Sequence, residues 1–304
     1  MSRWRLFGTG ILALAAAGAA VLWVASSPVR LDAAELAAAP AGDAARGERV
    51  FWAAGCSSCH AAPGATGDAR FRLGGGVALD TPFGRFLAPN ISPDKENGIG
   101  NWSFADFANA LMRGVSPSGE HLFPAFPYTS YARMTLEDAA DLYAFLLTLP
   151  PIAEKAPGHE VSFPFNVRRG VGMWKRMFFD PAPVMDFEDP SAELARGQYL
   201  VEGPGHCGEC HTPRNAIGGM DPSRWLAGGP AAAGDGKVPN ITPGSDIGSW
   251  SEDEIAEFLK SGFTPEFDSA GGAMAEVVRN LAELPDEDLQ AIAAYLKAVP
   301  PVDD

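Results

Sequence analysis

All four cysteines of this chain sit in two Cys-x-x-Cys-His motifs, Cys56-Ser57-Ser58-Cys59-His60 and Cys207-Gly208-Glu209-Cys210-His211. Three residues apart on a helical turn, the two sulfurs of each motif fall on one side. There they can form thioethers with the two vinyl groups of one haem, and the histidine that follows lies under the iron as proximal ligand. The spacing therefore predicts two covalently bound haem c groups. Cys56, Cys59, Cys207 and Cys210 would anchor them, and His60 and His211 would ligate the irons. A zinc site would need ligands gathered from separate segments, whereas each half here is self-contained. Two disulfides would not require a histidine at the same offset in both motifs.

The second axial ligand decides what the iron does. Methionine raises the potential and closes the iron to substrate, which favours electron transfer. Met274 stands in Gly271-Gly272-Ala273-Met274-Ala275-Glu276, read as a loop before the last helix, and is the expected ligand in the second half. In the first half, counting back from Pro150-Pro151 places Pro124 opposite Met274, and counting forward from Trp102 places Phe126 there. Neither can ligate iron. Met134, after Tyr131-Ala132-Arg133, is the expected ligand instead. Met112, on a helix, reads more readily as a packing residue, and His121 is a lesser alternative. His206 is too constrained by Cys207 to reach either iron, and His159 belongs to the linker. The proximal histidines should donate their second ring N–H to carbonyls near Pro89 and Pro239. Trp102 and Trp250 suit a haem propionate, through the indole N–H, as well as core packing.

The elements that position these residues occur twice. Ala45-Arg46-Gly47 precedes the first motif and Ala195-Arg196-Gly197 the second. Pro89-Asn90-Ile91 returns as Pro239-Asn240-Ile241, and Trp102-Ser103 as Trp250-Ser251. Two copies of domain length indicate a duplicated domain rather than a solenoid. Ser103 with Asp106, and Ser251 with Glu254, read as helix N-caps. Gly114 and Gly262 read as helix stops. Leu289, Ile292, Ala293 and Leu296 form a helical stripe, matched in the first half by Leu142, Phe145 and Leu146. No long alternating run argues for strands. The fold class is mainly α: two tandem domains over residues 40–152 and 191–304, joined by a linker over 153–190. That linker gathers Arg168, Arg169, Lys175 and Arg176, as a helix packed across both domains or as a contact for anionic lipid headgroups.

Residues 1–27 carry Arg3 and Arg5, then an uncharged run from Leu6 to Ala25. This is an export signature, either a retained membrane anchor or a cleaved signal peptide. A buried core helix is the remaining reading. The rest of the chain then faces the periplasm, with the two arginines inside. The 304 residues include 34 glycines and 26 prolines, a loop-rich but not disordered composition. With 23 basic against 38 acidic residues the net charge is −15, which disfavours nucleic acid and favours a basic partner.

Taken with Phe86-Leu87-Ala88-Pro89-Asn90-Ile91, Gly98-Ile99-Gly100-Asn101-Trp102-Ser103, Pro124-Ala125-Phe126-Pro127-Tyr128 and Gly203-Pro204-Gly205-His206-Cys207, these motifs support a resemblance. Over about residues 40–300 the chain resembles bacterial membrane-associated diheme cytochromes c, related to the cytochrome subunits of alcohol and gluconate dehydrogenases. The resemblance implies two cytochrome c-like domains, each wrapped on its own haem, with Met274 as a distal ligand. Some relatives carry methionine where this chain has Phe126. The expected function is periplasmic electron transfer from a dehydrogenase to a cytochrome, oxidase or quinone. The rival is a diheme enzyme, such as a thiosulfate dehydrogenase or peroxidase, with its chemistry at the first haem. A haem-based sensor ranks last, for want of an output domain.

Overall fold

The computed structural model describes residues 3–303, with side chains from residue 12 onward. Helix α1 (Arg3–Ala25) covers the uncharged run. The side chains of Arg3 and Arg5 lie outside the described residues. Among the described residues no helix is long and apolar enough to cross a membrane. Leu14, Val21 and Val24 on α1 are exposed, so little of the protein packs against it. A short helix, α2 (Ala33–Ala38), follows.

The first half comprises α3 (Ala44–Ala53), α4 (Cys56–His60), α5 (Phe104–Arg113), α6 (Tyr128–Tyr131) and α7 (Leu136–Leu146). After the linker helix α8 (Arg168–Phe178), the second half repeats the order with α9 (Ala192–Glu202), α10 (Cys207–His211), α11 (Glu252–Ser261), α12 (Gly272–Leu281) and α13 (Asp286–Ala298). The expected ends are present. Ser103–Asp106 and Ser251–Glu254 form reciprocal capping boxes on α5 and α11. Gly114 and Gly262 close those helices in the left-handed region, at φ 57° and 80°.

In each half the first helix crosses the last. A Cβ on Gly47 would lie 2.0 Å from the Asp141 carbonyl oxygen, and one on Gly197 would lie 1.9 Å from that of Ala291. The repeated Ala-Arg-Gly is thus a crossing point where only glycine fits. The arginine beside it binds the partner helix. Arg46 donates to Asp141 at 2.7 and 2.9 Å, and Arg196 to Asp288 at 2.8 and 3.0 Å. Phe51, Leu142 and Leu146 from one half, and Leu200, Leu289, Ile292 and Leu296 from the other, are buried in one continuous apolar core.

Two small antiparallel hairpins accompany the mainly helical fold. β1 (Ala78–Thr81) pairs with β2 (Gly84–Leu87), Ala78 opposite Leu87, and β3 (Gly229–Pro230) pairs with β4 (Lys237–Val238). Strands of four and two residues are too short to print an alternating pattern.

Helix α8 spans both halves. Lys175 Nζ donates to the carbonyls of Arg113 and Gly114 at 2.6 and 2.8 Å, and so caps the end of α5. Burial there pushes its ammonium down to about 7. Trp174 Nε1 donates to the Ile217 carbonyl at 2.9 Å in the second half. The same helix grips the end of α1: Arg176 Nε donates to the Ala25 carbonyl at 2.6 Å, and the Arg169 guanidinium lies 3.8 Å from the Trp23 ring centroid.

Candidate functional site

Each Cys-x-x-Cys-His motif is one short helix opened by a left-handed residue. Gly55, at φ 60°, ends α3 and begins α4. In the second half His206 takes that conformation at φ 42°, and its ring packs edge-on against Tyr131, 5.6 Å between centroids. That packing explains why His206 is committed to structure rather than ligation.

The histidines of the two motifs are held alike. His60 Nδ1 lies 2.7 Å from the Pro89 carbonyl oxygen, and His211 Nδ1 lies 2.8 Å from that of Pro239. A carbonyl only accepts, so Nδ1 donates the proton and Nε2 presents its lone pair. Burial lowers both imidazole pKa values, against the opposing pull of the proline carbonyl, and so favours the neutral ring. The expectation that the Pro89 and Pro239 segments supply these acceptors is met at those prolines.

What holds the two carbonyls is not legible in the sequence. Asn90 Nδ2 donates to the Ile152 carbonyl at 2.6 Å, and Asn240 Nδ2 to that of Val302 at 2.7 Å. Their Oδ1 atoms accept from the Ser92 and Thr242 amides, both at 2.9 Å. Each asparagine clamps its Pro-Asn-Ile segment to the chain just beyond the paired prolines. The one signal is its repetition; the partner is 62 residues away in both halves.

The four thiols are unpaired. Burial first, then the neighbouring cysteine of the motif, pushes the Cys56 and Cys207 thiols up to about 12. Two thiols and an imidazole with a free Nε2, on one turn of helix, fit a covalently held haem, whose ring would supply four further iron ligands and leave one axial position to a second side chain. Trp102 and Trp250 are half-buried. Trp102 packs against the core that includes Tyr131 and Met134.

The methionines fall in different settings. Met134 is 4% exposed just before α7, where the second half has Leu284 at 5%. Met112 is buried on α5, in the same core. Met274 is half-buried at the edge of that core, and it lies on α12 rather than in a loop. Gly271, extended and at the N-cap, lets the helix begin two residues before it. His121 is buried with Nε2 donating to the Ser26 carbonyl at 2.8 Å, and His159 Nδ1 accepts from the Leu87 amide at 3.1 Å. Both serve the packing of the linker and the N-terminal segment.

The halves meet through equivalent positions, face to face. Arg49 reaches Asp288 at 2.7 Å, and its counterpart Tyr199 donates to Asp138, the counterpart of Asp288. Ser58 accepts from Asn280 at 2.7 Å, and its counterpart Glu209 accepts from Ser130 at 2.8 Å. Burial would raise the Glu209 pKa, but Arg214 and the hydroxyls of Thr129 and Ser130 outweigh it and hold the carboxylate low. The pseudo-twofold contact turns the two motifs toward each other. After burial, the nearby Cys210 is the further cause that pushes the Cys59 thiol up.

Comparison with known proteins bears on this doubled arrangement. Residues 44–150 match the cytochrome c family, and residues 192–296 match the cbb3-type cytochrome c oxidase subunit III family. The "Diheme cytochrome c-type" protein of Cereibacter sphaeroides is 54% identical over 299 residues, covering 98% of this chain and 99% of that one. The "Fructose dehydrogenase cytochrome subunit" of Gluconobacter japonicus is 38% identical over 286 residues, or 92% of this chain and 58% of that subunit. The "Alcohol dehydrogenase (quinone), cytochrome c subunit" of Gluconobacter oxydans is 38% identical over 296 residues, or 92% of this chain and 60% of that subunit. Two cytochrome c domains, and a relative matched over nearly its whole length, establish that the chain belongs to the diheme c-type cytochromes and carries two covalently bound haem c groups.

Proposed function

We propose that the chain is an electron carrier on the periplasmic side of a bacterial inner membrane, held there by α1. Cys56 and Cys59 anchor one haem and Cys207 and Cys210 the other. His60 and His211 are the proximal ligands, and Met134 and Met274 the distal ones. The observation that carries this reading is the doubled histidine clamp, with Nδ1 fixed by a proline carbonyl and Nε2 left for iron. Bound haem supplies the one-electron chemistry. The chain's own residues orient the imidazoles, exclude water and keep the two motifs adjacent. The exposed apolar side chains of α1 support the anchor. Similarity to dehydrogenase cytochrome subunits supports a dehydrogenase as donor, with a cytochrome, oxidase or quinone as acceptor.

One observation favours the rival reading, a diheme enzyme working at the first haem. Met134 stands where the repeat has Leu284, not where it has Met274. A spectroscopic redox titration of the membrane-purified protein, beside Met134→Ala and Met274→Ala, separates the two. In a carrier, carbon monoxide leaves the wild type unchanged. Each variant loses its share of the methionine–iron charge-transfer absorbance, lowers one potential and gains carbon monoxide binding. A wild-type first haem that binds carbon monoxide overturns the carrier reading in favour of the enzyme.

A further inference from the structure

We propose that the turn formed by residues 263–268 is the docking face for a cationic electron-transfer protein, one whose redox centre sits behind a basic rim. The proposal rests on the carrier reading above and adds a location and a partner chemistry to it.

The two halves carry the same turn. Val115 bridges His121 in the first, and Phe263 bridges Ser269 in the second. The Ser116 amide donates to the Glu120 carbonyl at 2.9 Å, and the Thr264 amide to that of Asp268 at 2.8 Å. Position by position, Val115 corresponds to Phe263 and Gly119 to Phe267. Val115 is 1% exposed, whereas Phe263 is 57% exposed. Gly119 has φ 83°; Phe267 holds the same left-handed conformation at φ 65° and is 90% exposed. A bulky residue in that region is strained, and at 90% exposure burial offsets little of the cost. The fold therefore buries little of this phenylalanine.

The first half covers its own turn. Arg30 Nη2 donates to the carbonyls of Ser116 and Pro117 at 3.1 and 3.2 Å. A cation from the N-terminal segment thus already sits on the turn of the first half. In the second half the corresponding surface is a groove of about 460 Å³. Phe263, Pro265 and Phe267 line it, with Asp253, Glu254 and Glu257 along one wall. Lys260 on the same helix is turned to Asp286 at 2.7 Å. An exposed aromatic centre beside a band of carboxylates complements a partner with an apolar redox edge ringed by lysine. Along the chain the turn is followed at once by the helix that bears the proposed ligand. Ala270 closes it by donating to the Gly262 carbonyl at 2.8 Å, and α12, bearing Met274, begins two residues later.

The test uses the full-length diheme protein and, as probe, a monohaem cytochrome c with a lysine-rimmed haem edge. Electron transfer is followed by stopped flow and binding by calorimetry, at low and high salt. Phe267→Gly restores the residue of the first half and removes the backbone strain. It should weaken binding and slow electron transfer about tenfold, with thermal stability unchanged or raised. Asp253→Asn with Glu257→Gln should flatten the salt dependence of the rate. Oxidation by ferricyanide should be the same in every variant, as a check on the haems. A stable Phe267→Gly protein with wild-type affinity and rate overturns the docking face. A wild type that exchanges electrons with neither the probe nor ferricyanide overturns the carrier reading itself.

Discussion

Asp288 is 1% exposed and joins three helices. It accepts from Arg196 on α9 and from Arg49 on α3, so one carboxylate ties its own half together and holds it to the other. Burial alone would raise its pKa. The hydrogen bonds and charges of Arg196 and Arg49 outweigh burial and hold it below the ordinary carboxylate value. A carboxyl depressed in the folded state contributes stability above its unfolded pKa of about 4 and loses it as the pH falls through the folded value. Asp288→Ala should therefore cost about 3 kcal/mol at neutral pH, measured by guanidinium unfolding. The gap to wild type should close below about pH 4. A gap that persists in acid would mean that packing, not charge, sets the effect. The Arg196 half of this arrangement is foreshadowed by the repeated Ala-Arg-Gly. The Arg49 half is not, because its partner lies 239 residues away.

At the scale of the element, α8 decides how α1 leaves the folded unit. The last turn of α1 contains no basic residue of its own. Arg176 from α8 takes its Ala25 carbonyl, and Arg169 donates to the Trp23 carbonyl at 3.2 Å while covering the Trp23 ring. Positive charge at a helix C-terminus contributes about 0.3–1 kcal/mol per group, and a surface cation–π contact about 0.5–1 kcal/mol. Arg169→Ala with Arg176→Ala should thus open the segment around Ser26 to Val29 about tenfold more often. Limited proteolysis of the full-length protein reads this as faster cleavage between α1 and the haem-bearing part. Equal cleavage rates would show that α8 does not hold α1. The four basic residues of the linker are visible in the sequence. That they split, with Arg169 and Arg176 on α1, Lys175 on α5 and Arg168 on the His121 carbonyl, is visible only once α8 is folded.

Over the whole molecule, the duplicated halves pair about a pseudo-twofold axis, and each reaches the other from equivalent positions. Tyr199 and Asn280 represent the two kinds of contact, helix to helix and helix to Cys-x-x-Cys-His turn. Tyr199→Phe with Asn280→Ala removes one of each and leaves the hydroxyls of Ser57 and Ser58 without that partner. An unsatisfied buried polar group costs about 1–3 kcal/mol. Calorimetry should show one unfolding transition for the wild type and two for this variant, one per half. One sharp transition at an unchanged midpoint would mean that the shared apolar core alone couples the halves.

The sequence by itself determined the chemistry. The two Cys-x-x-Cys-His turns, the capping boxes at Ser103 and Ser251 and the stops at Gly114 and Gly262 depend on residues within one turn of each other, where spacing dictates geometry, and the duplicated order of helices shows as the repetition of those local signals. Other features needed the tertiary structure. Asn90 and Asn240 became clamps, Gly47 and Gly197 became crossing points, and Met274 moved onto a helix. Phe267 emerged as a strained and exposed side chain only when its turn was laid beside that of Gly119. In the first two cases the partners lie far along the chain, and in the others the finding is a conformation. Local spacing carries no record of either; they follow from how the halves pack.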